Sequence, residues 1–463
     1  LVVDTARISG LQLGIKRSAD GDISLIGLQG KSVDQKFDDT QIDWAEQIRS
    51  WRGIELLSAQ IQFDDQMQPQ FSGLYEVNEL ALLQGKQSTL IGDIQLPHHL
   101  GQQLSFTVDA MLTSSGISNW RVEQLDARQL QLATIFQNQQ MQDVSVTRGR
   151  ADVSVGIGSN LNKQWQGQIQ LLDVALENLS HPDRGSVTIN SLSGEFNWQG
   201  DGTAWQLAAE PIQLTIDDDS WPQSTLNLQF SETDGWFAET SFVRLSDLTA
   251  LALLSDKAPA LLTQYQPAGD IRDIQLSLNS NNELQSAKMI VDEFASQPVD
   301  QVPGVTGLSM EVEWEPASAH ALISSRNLTM YAPTWLPEAI YFDMAEANLD
   351  WNTAETNWQM QLTDLNIWNN DMPRSILDPD YLKWAEKAYT GGQIETGSLK
   401  LKGNLAEFPF TGENSENEFE ATLNVINVGL DYGKGWPVLE NISGQVLSSG
   451  NKLDILPKAG RIA

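Results

Sequence analysis

Apolar and polar residues alternate with a period of two along almost the whole chain, and this constrains the fold more than any motif does. "SFTVDA" sets Phe106 and Val108 against Thr107, and "EPIQLTID" sets Ile212, Leu214 and Ile216 against Gln213 and Thr215. "STLNLQF" repeats the pattern with Leu226, Leu228 and Phe230, and "DIQLSLN" with Ile274, Leu276 and Leu278. In "GLSMEVEWEP", Leu308, Met310, Val312 and Trp314 stand opposite Glu311, Glu313 and Glu315. "GSLKLKGNLAEFPF" alternates Leu399 and Leu401 with Lys400 and Lys402 before Phe408-Pro409-Phe410 stops it, and Leu423 and Val425 continue the series. These are half-buried antiparallel strands with one dry and one wet face. "GDG" (200–202), "NN" (281–282) and "GG" (391–392) punctuate them as turns.

Only three stretches carry helical spacing. They lie near 42–52, about 245–262, and about 378–389, where Asp378 is the cap and Pro379 the first helical residue. Leu248, Leu251 and Leu254 mark the apolar stripe of the second, which Pro259 interrupts. The expected organisation is therefore an N-terminal strand segment over 1–240 with one short helix, a helix-then-strand unit over 241–376, and a second over 377–463. "FNWQGDGTAWQLAAEPIQL" (196–214) and "LDWNTAETNWQMQLTDLNI" (349–367) echo one another, each with two Trp seven residues apart across a polar turn. Trp198/Trp205 and Trp351/Trp358 are expected to face each other across hairpins, in sheet units repeated along one axis.

A long antiparallel sheet must cover its dry face with a second sheet, close into a barrel, or curl into a trough that holds something else. Separate sandwiches would show linkers between blocks of about 100 residues, and no Pro/Ser-rich linker occurs. The expected fold is mainly β: an elongated, curled antiparallel groove of repeating units with an apolar interior and about three short helices. On this reading the alternating apolar residues line the groove, and the helix carrying Leu248, Leu251 and Leu254 covers it. Both ends of the sequence break off within strand alternation, as expected for a piece of a longer chain.

Charge narrows the partners. With 28 basic and 61 acidic residues the net charge is −33, which excludes phosphate neutralisation as a source of nucleic-acid affinity and adhesion to anionic headgroups. Cysteine is absent, so the redox compartment stays open. His98 and His99 are adjacent and His181 and His320 isolated, a poor metal set. The acidic runs at 63–65, 216–221 and 413–420 lack the ligand spacing of a calcium loop and read as solvated turns, with a carboxylate pair for glycoside hydrolysis a remote reading. No nucleophile elbow, zinc-protease helix or phosphate loop is present. The expectation is no enzyme and no cofactor. The 15 Trp leave one competitor open, a Trp-rich glycan-binding or scaffold protein of packed sandwiches.

Four segments resemble the YhdP family of AsmA-like proteins. They are "VRLSDLTALALLSDKAPALLTQYQPAGDIRDIQLSL" (243–278), "VPGVTGLSMEVEWEP" (302–316), helix 378–389 with "GGQIETGSLKLKGNLAEFPF", and "GLDYGKGWPVLENISGQV" (429–446). Over 1–240 the resemblance rests on pattern. Met310 departs from it, standing where a glycine follows Leu-Ser in the family. The resemblance implies a repeating β-groove of the bridge-like lipid-transport type. It also implies an inner-membrane anchor through an N-terminal helix, a periplasmic location, and phospholipid carried toward the outer membrane. Phospholipid, and the two membranes or proteins at them, are the partners it implies.

Overall fold

The computed structural model describes residues 5–26, 52–84, 88–113, 116–137, 143–157, 164–255, 257–300, 302–332, 339–354, 357–368, 387–402, 418–431, 433–449 and 452–462. Among them are 25 strands, and the chain divides into two units: Leu1–Asn227 with Leu254–Lys257, and Leu228–Leu253 with Ala258–Ala463. The predicted helix near 42–52 and Phe408-Pro409-Phe410 lie outside the described residues, as does most of the helix predicted at 378–389.

The first unit holds β1 (Thr5–Ser9), β2 (Gln12–Arg17), β3 (Ile23–Ile26), β4 (Gly53–Asp65), β5 (Gly73–Gln84), β6 (Ser88–Gln95), β7 (Gln103–Thr113) and β8 (Gly116–Gln131). Then come the one-turn helix α1 (Leu132–Ile135), β9 (Val144–Ile157), β10 (Gln164–Asn178), β11 (Ser186–Gly200), β12 (Ala204–Ile216) and the short β13 (Asp219–Ser220). From β4 to β12 each strand pairs antiparallel with its sequence neighbours. β1 and β2 depart from this, both pairing parallel with β4. The chain between them and β4 is long enough for the crossover a parallel pair needs. β14 (Ser224–Ser231) crosses the boundary between the units.

The second unit holds β15 (Gly235–Arg244), α2 (Leu245–Leu253), α3 (Ala260–Tyr265), β16 (Ala268–Leu278), β17 (Leu284–Ser296), β18 (Gly304–Glu315) and β19 (Ser318–Tyr331). β20 (Ile340–Ala354), β21 (Asn357–Trp368), β22 (Tyr389–Lys402), β23 (Glu418–Leu430), β24 (Leu439–Ser449) and β25 (Lys452–Ile462) complete it. All are antiparallel neighbours from β15 onward. The helix predicted over 245–262 is two pieces, broken before Pro259, and Leu254 lies just past the first. Gly391-Gly392, read as a break before a strand, lies inside β22.

Each unit is an open, curled sheet, and its strands bend at bulges the sequence reading did not foresee. Ser58, Gln129 and Asp173 in the first unit have φ between 51° and 53° within strands. In the second, Asp273, Glu293, Gly307, Asn327, Asp364, Asn427 and Asn441 have φ between 48° and 77°. A left-handed residue in a strand adds a bulge, bends the strand and flips side-chain parity beyond it. The amides that leave the ladder are capped from the next strand. Glu293 N donates to Ser309 Oγ (3.0 Å), Ser309 N to Ser325 Oγ (2.8 Å) and Asn427 N to Ser443 Oγ (3.4 Å). In the first unit Gln129 N donates to Asp152 Oδ1 (2.5 Å). Facing three of the bulges is a glycine: Gly149 beside Val174, Gly269 beside Phe294 and Gly392 beside Val428. A Cβ on Gly149 (φ +134°) would stand 2.8 Å from Val174 Cα, and one on Gly392 (φ +138°) 2.8 Å from Val428 Cα. Only glycine tolerates both that backbone conformation and that approach.

Connections sort by length in each unit. At one end of the first unit's strands they span 85–87, 114–115, 158–163 and 201–203; at the other, 66–72, 96–102, 132–143 and 179–185. In the second, 232–234, 279–283, 316–317, 355–356 and 450–451 lie at the tight end, with 403–417 the long exception. Opposite are α2 with α3, then 297–303, 332–339, 369–388 and 431–438.

Candidate apolar groove

Residues directly opposite in an antiparallel ladder share a face, so register traces each face across a unit. In the first unit one row reads Leu56, Leu80, Gly92, Phe106, Leu125, Val155, Gly167, Phe196, Ala209. Beside it run Val77, Ile94, Leu104, Ala127, Val153, Ile169, Gly194 and Ile212. The opposite face carries Asp93, Ser105, Asp126, Ser154, Gln168 and Glu195. The glycines in the apolar row are floors for rings. A Cβ on Gly92 would stand 2.3 Å from Phe106 Cζ, and one on Gly167 2.5 Å from Phe196 Cζ. The flat aromatic lies over the gap and keeps the row apolar.

The second unit repeats this arrangement. Its apolar row runs Ala238, Leu276, Ala287, Trp314, Ala319, Trp351, Met360, and on by register to Leu401 and Phe419. A neighbouring row holds Met289, Val312, Ala321, Leu349 and Leu362, and by register Leu399 and Ala421. The wet face is a ladder of Glu239, Gln275, Lys288, Glu313, His320, Asp350, Gln361, Lys400 and Glu420. Gln275 donates to Glu239 (3.0 Å), Lys288 meets Glu313 (2.7 Å), and the His320 ring meets Asp350 (2.8 Å).

Apart from Leu226, Leu228 and Phe230 on β14, every residue predicted to line the groove falls at a described register position. Val108 pairs with Leu90 and Val122, Leu214 with Leu192, and Ile216 with Ile189. Leu278 pairs with Trp236, Leu308 with Phe294, and Met310 with Val291 and Ile323. Leu423 pairs with Gly397 and Val446, and Val425 with Gly444. Leu226, Leu228 and Phe230 are half-buried, and the Phe230 ring lies 4.8 Å from that of Trp236. Of the predicted covering residues Leu248 is exposed, Leu251 half-buried and Leu254 buried. Leu254 O accepts from the buried Asn178 Nδ2 (2.8 Å). Trp198 and Trp205 are diagonal neighbours: Trp198 stands opposite Leu207 and Trp205 opposite Gly200. By register Trp351 meets Met360 and Trp358 meets Thr353. The two hairpins nonetheless share one register, so the echo is structural.

This face is not a sandwich core. Half of the buried apolar residues are alanines, while Leu80, Phe106, Leu192, Leu214, Met310 and Val312 stay half-exposed. In a packed core such side chains would be the most buried of all. The cover sequence reasoning missed is α1: Leu132 packs with Ala151 and Val174, and Leu130, Phe136, Leu171 and Ile189 close around them. Its signal, "QLATIFQ", was too short to separate from strand.

Chemically reactive arrangements are scarce. Among the described residues no three His, Cys, Asp or Glu gather as a metal site, and no helix is long and apolar enough to cross a membrane. His99 Nε2 lies 3.1 Å from Gln70 O in a loop contact. Among the described residues the one deeply buried carboxylate is Asp65, 1 % exposed. Arg17 donates to both of its oxygens, Nε at 2.9 Å, and Met67 N and Gln68 N donate to Oδ1 at 3.0 and 2.9 Å. These bonds, Arg17 first, hold its pKa below the usual carboxylate range against burial. Asp65 therefore stabilises the first unit above the unfolded carboxylate value, and this is lost as pH falls through its lowered folded pKa. Nearby Tyr75 donates to Phe71 O (2.7 Å), and burial, then the Asp65 charge, pushes its pKa up to about 12. Its stabilisation is complete below the ordinary value of 10.0 and disappears as pH rises from there toward about 12. The tyrosinate absorbance lost in Tyr75→Phe is expected to titrate near the top of that window; titration at the ordinary value would contradict the burial.

A family model described as YhdP protein matches residues 1–463. No curated protein and no solved structure matches the chain. The family match spans the whole chain and accords with the open sheet of repeated strands in each unit, with its continuous apolar row: the chain belongs to the YhdP family.

Proposed function

We propose that the chain is a non-enzymatic conduit for phospholipid acyl chains, working in the periplasm of a Gram-negative envelope between inner and outer membranes. The observation that carries this is the half-exposed apolar row in each unit, continuous from strand to strand and backed by a polar ladder on the opposite face. An acyl chain laid on such a surface gains about 0.8 kcal/mol per buried CH₂. No specific side chain is needed, and a lining that repeats at every strand gives nearly equal energy at successive positions, which is what sliding requires. The outer face keeps its charges in water, where they cost nothing to hydrate. Anchoring in the inner membrane and delivery toward the outer one follow from the family reading and belong to the proposal. Native mass spectrometry of the gently purified chain is expected to show phospholipid adducts, several per chain, that organic extraction removes and vesicles restore. A folded chain that neither carries nor reacquires phospholipid would overturn the reading.

A further inference from the structure

Six of the described tryptophans lie on the apolar rows and cluster at one strand end, whereas Trp221 and the exposed Trp436 lie in connections at the other, off those rows. In the first unit Trp165 is the second residue of β10, Trp198 the third from the end of β11, and Trp205 the second of β12. In the second unit Trp236 is the second residue of β15, Trp314 the last but one of β18, and Trp351 lies three residues before the end of β20. All six are at the tight-hairpin end of their unit's strands. Trp165 pairs directly with Trp198, and Trp314 and Trp351 flank Ala319 in the apolar row. The indole N–H groups of Trp165, Trp198, Trp314 and Trp351 meet no acceptor among the described residues, and Trp351 is 43 % exposed.

From each belt the apolar track runs inward over a fixed length. On β10 it is Trp165, Gly167, Ile169 and Leu171, then the bulge at Asp173. On β18 it is Trp314, Val312, Met310 and Leu308, then the bulge at Gly307. Six residue steps at about 3.3 Å make about 20 Å, comparable with one leaflet's share, about 15 Å, of a bilayer's hydrocarbon core. The far end differs in character. Four amides at its bulges are already capped, by Ser309, Ser325, Ser443 and Asp152, and offer a headgroup no donors. In the first unit α1 adds an apolar lid there through Leu132 and Phe136.

An indole is a large apolar ring with one N–H donor, suited to the boundary between hydrocarbon and water. We infer that these tryptophans fix the orientation of a diacyl lipid. The glycerol ester region lies along the tight-hairpin end, where indole N–H groups donate to ester carbonyls, the headgroup projects past that end, and the tails run toward the bulges. This rests on the conduit reading and adds to it which edge of the sheet the polar part of the lipid occupies.

The test uses two photoreactive phosphatidylcholines presented in vesicles to the purified chain, one with a diazirine beside the acyl ester and one with it at the acyl terminus. Crosslinked peptides are mapped by mass spectrometry. The ester-proximal probe is expected to favour segments around Trp165, Trp198 and Trp314 by about fivefold, the ratio one net hydrogen bond supplies. The terminal probe favours those around Phe136, Leu171 and Leu308. In the Trp165→Phe/Trp314→Phe double variant the total crosslinking stays and the ratio falls toward one; an unchanged ratio would overturn the role of the N–H groups. Reversed or even labelling would overturn the orientation and leave the conduit standing. Labelling by neither probe would overturn both.

Discussion

Leu214→Asp is expected to slow exchange of a fluorescent phospholipid between vesicles by about a hundredfold, while Gln213→Glu on the same strand leaves it unchanged. Leu214 continues the apolar row through Leu171 and Leu192, and Gln213 the wet row through Gln170 and Ser193. A carboxylate in the groove keeps its hydration and denies contact to about four methylenes of any passing chain, about 3 kcal/mol at 0.8 per CH₂, which is about a hundredfold. Lipid entering at one strand and leaving at another must cross every register, so the least favourable position sets the rate. Leu214 is half-exposed, so the fold tolerates the charge, and unchanged circular dichroism checks this. Equal effects from both substitutions would show that lipid does not distinguish the faces.

Gly149→Val is expected to unfold part of the first unit. At φ +134° a branched residue is strained, and its Cβ would stand 2.8 Å from Val174 Cα, 2.9 Å from Val174 Cγ2 and 3.1 Å from Val174 Cβ. The nearest atom is backbone, so no rotamer change relieves the contact. Strain of about 1–3 kcal/mol for such a conformation adds to overpacking of about 1–3 kcal/mol. Because neighbouring strands unfold in blocks in such arrays, one global unfolding energy is a poor readout. Hydrogen exchange resolves it: amides of β9 and β10 are expected to lose protection while those of β18 and β19 keep theirs. Unaltered protection in β9 and β10 would mean the bulge does not hold the bend.

Sequence parity carried the two faces because Leu, Ile and Val against Gln, Lys and Glu at period two leave one arrangement that buries the first set. Leu399 and Lys400 therefore fall in opposite rows, as alternation alone required. The bulges were invisible for a physical reason. Asp173, Glu293 and Asn427 are polar residues in strands and read as ordinary wet-face positions, yet each adopts left-handed backbone and reverses parity beyond itself. A signal was available in Gly149 and Gly269, each in a strand and each 24 residues before its bulge, but one glycine in a strand has many explanations. Trp198 and Trp205 do not face each other directly, since a two-residue offset across the hairpin makes them diagonal neighbours. The parallel start of β1 and β2 depends on a pairing between distant segments that no local pattern encodes.

The central claim is that the apolar face holds acyl chains along both units, and paired photo-crosslinking in living cells tests it most directly. A photoreactive amino acid would replace Leu214 or Val312 on the apolar rows, with Gln213 or Glu313 on the wet rows as matched controls. Phospholipid crosslinked from Leu214 and Val312, and not from Gln213 or Glu313, is the predicted result. A chain that folds and captures no lipid from either row, or equal amounts from both, would contradict it.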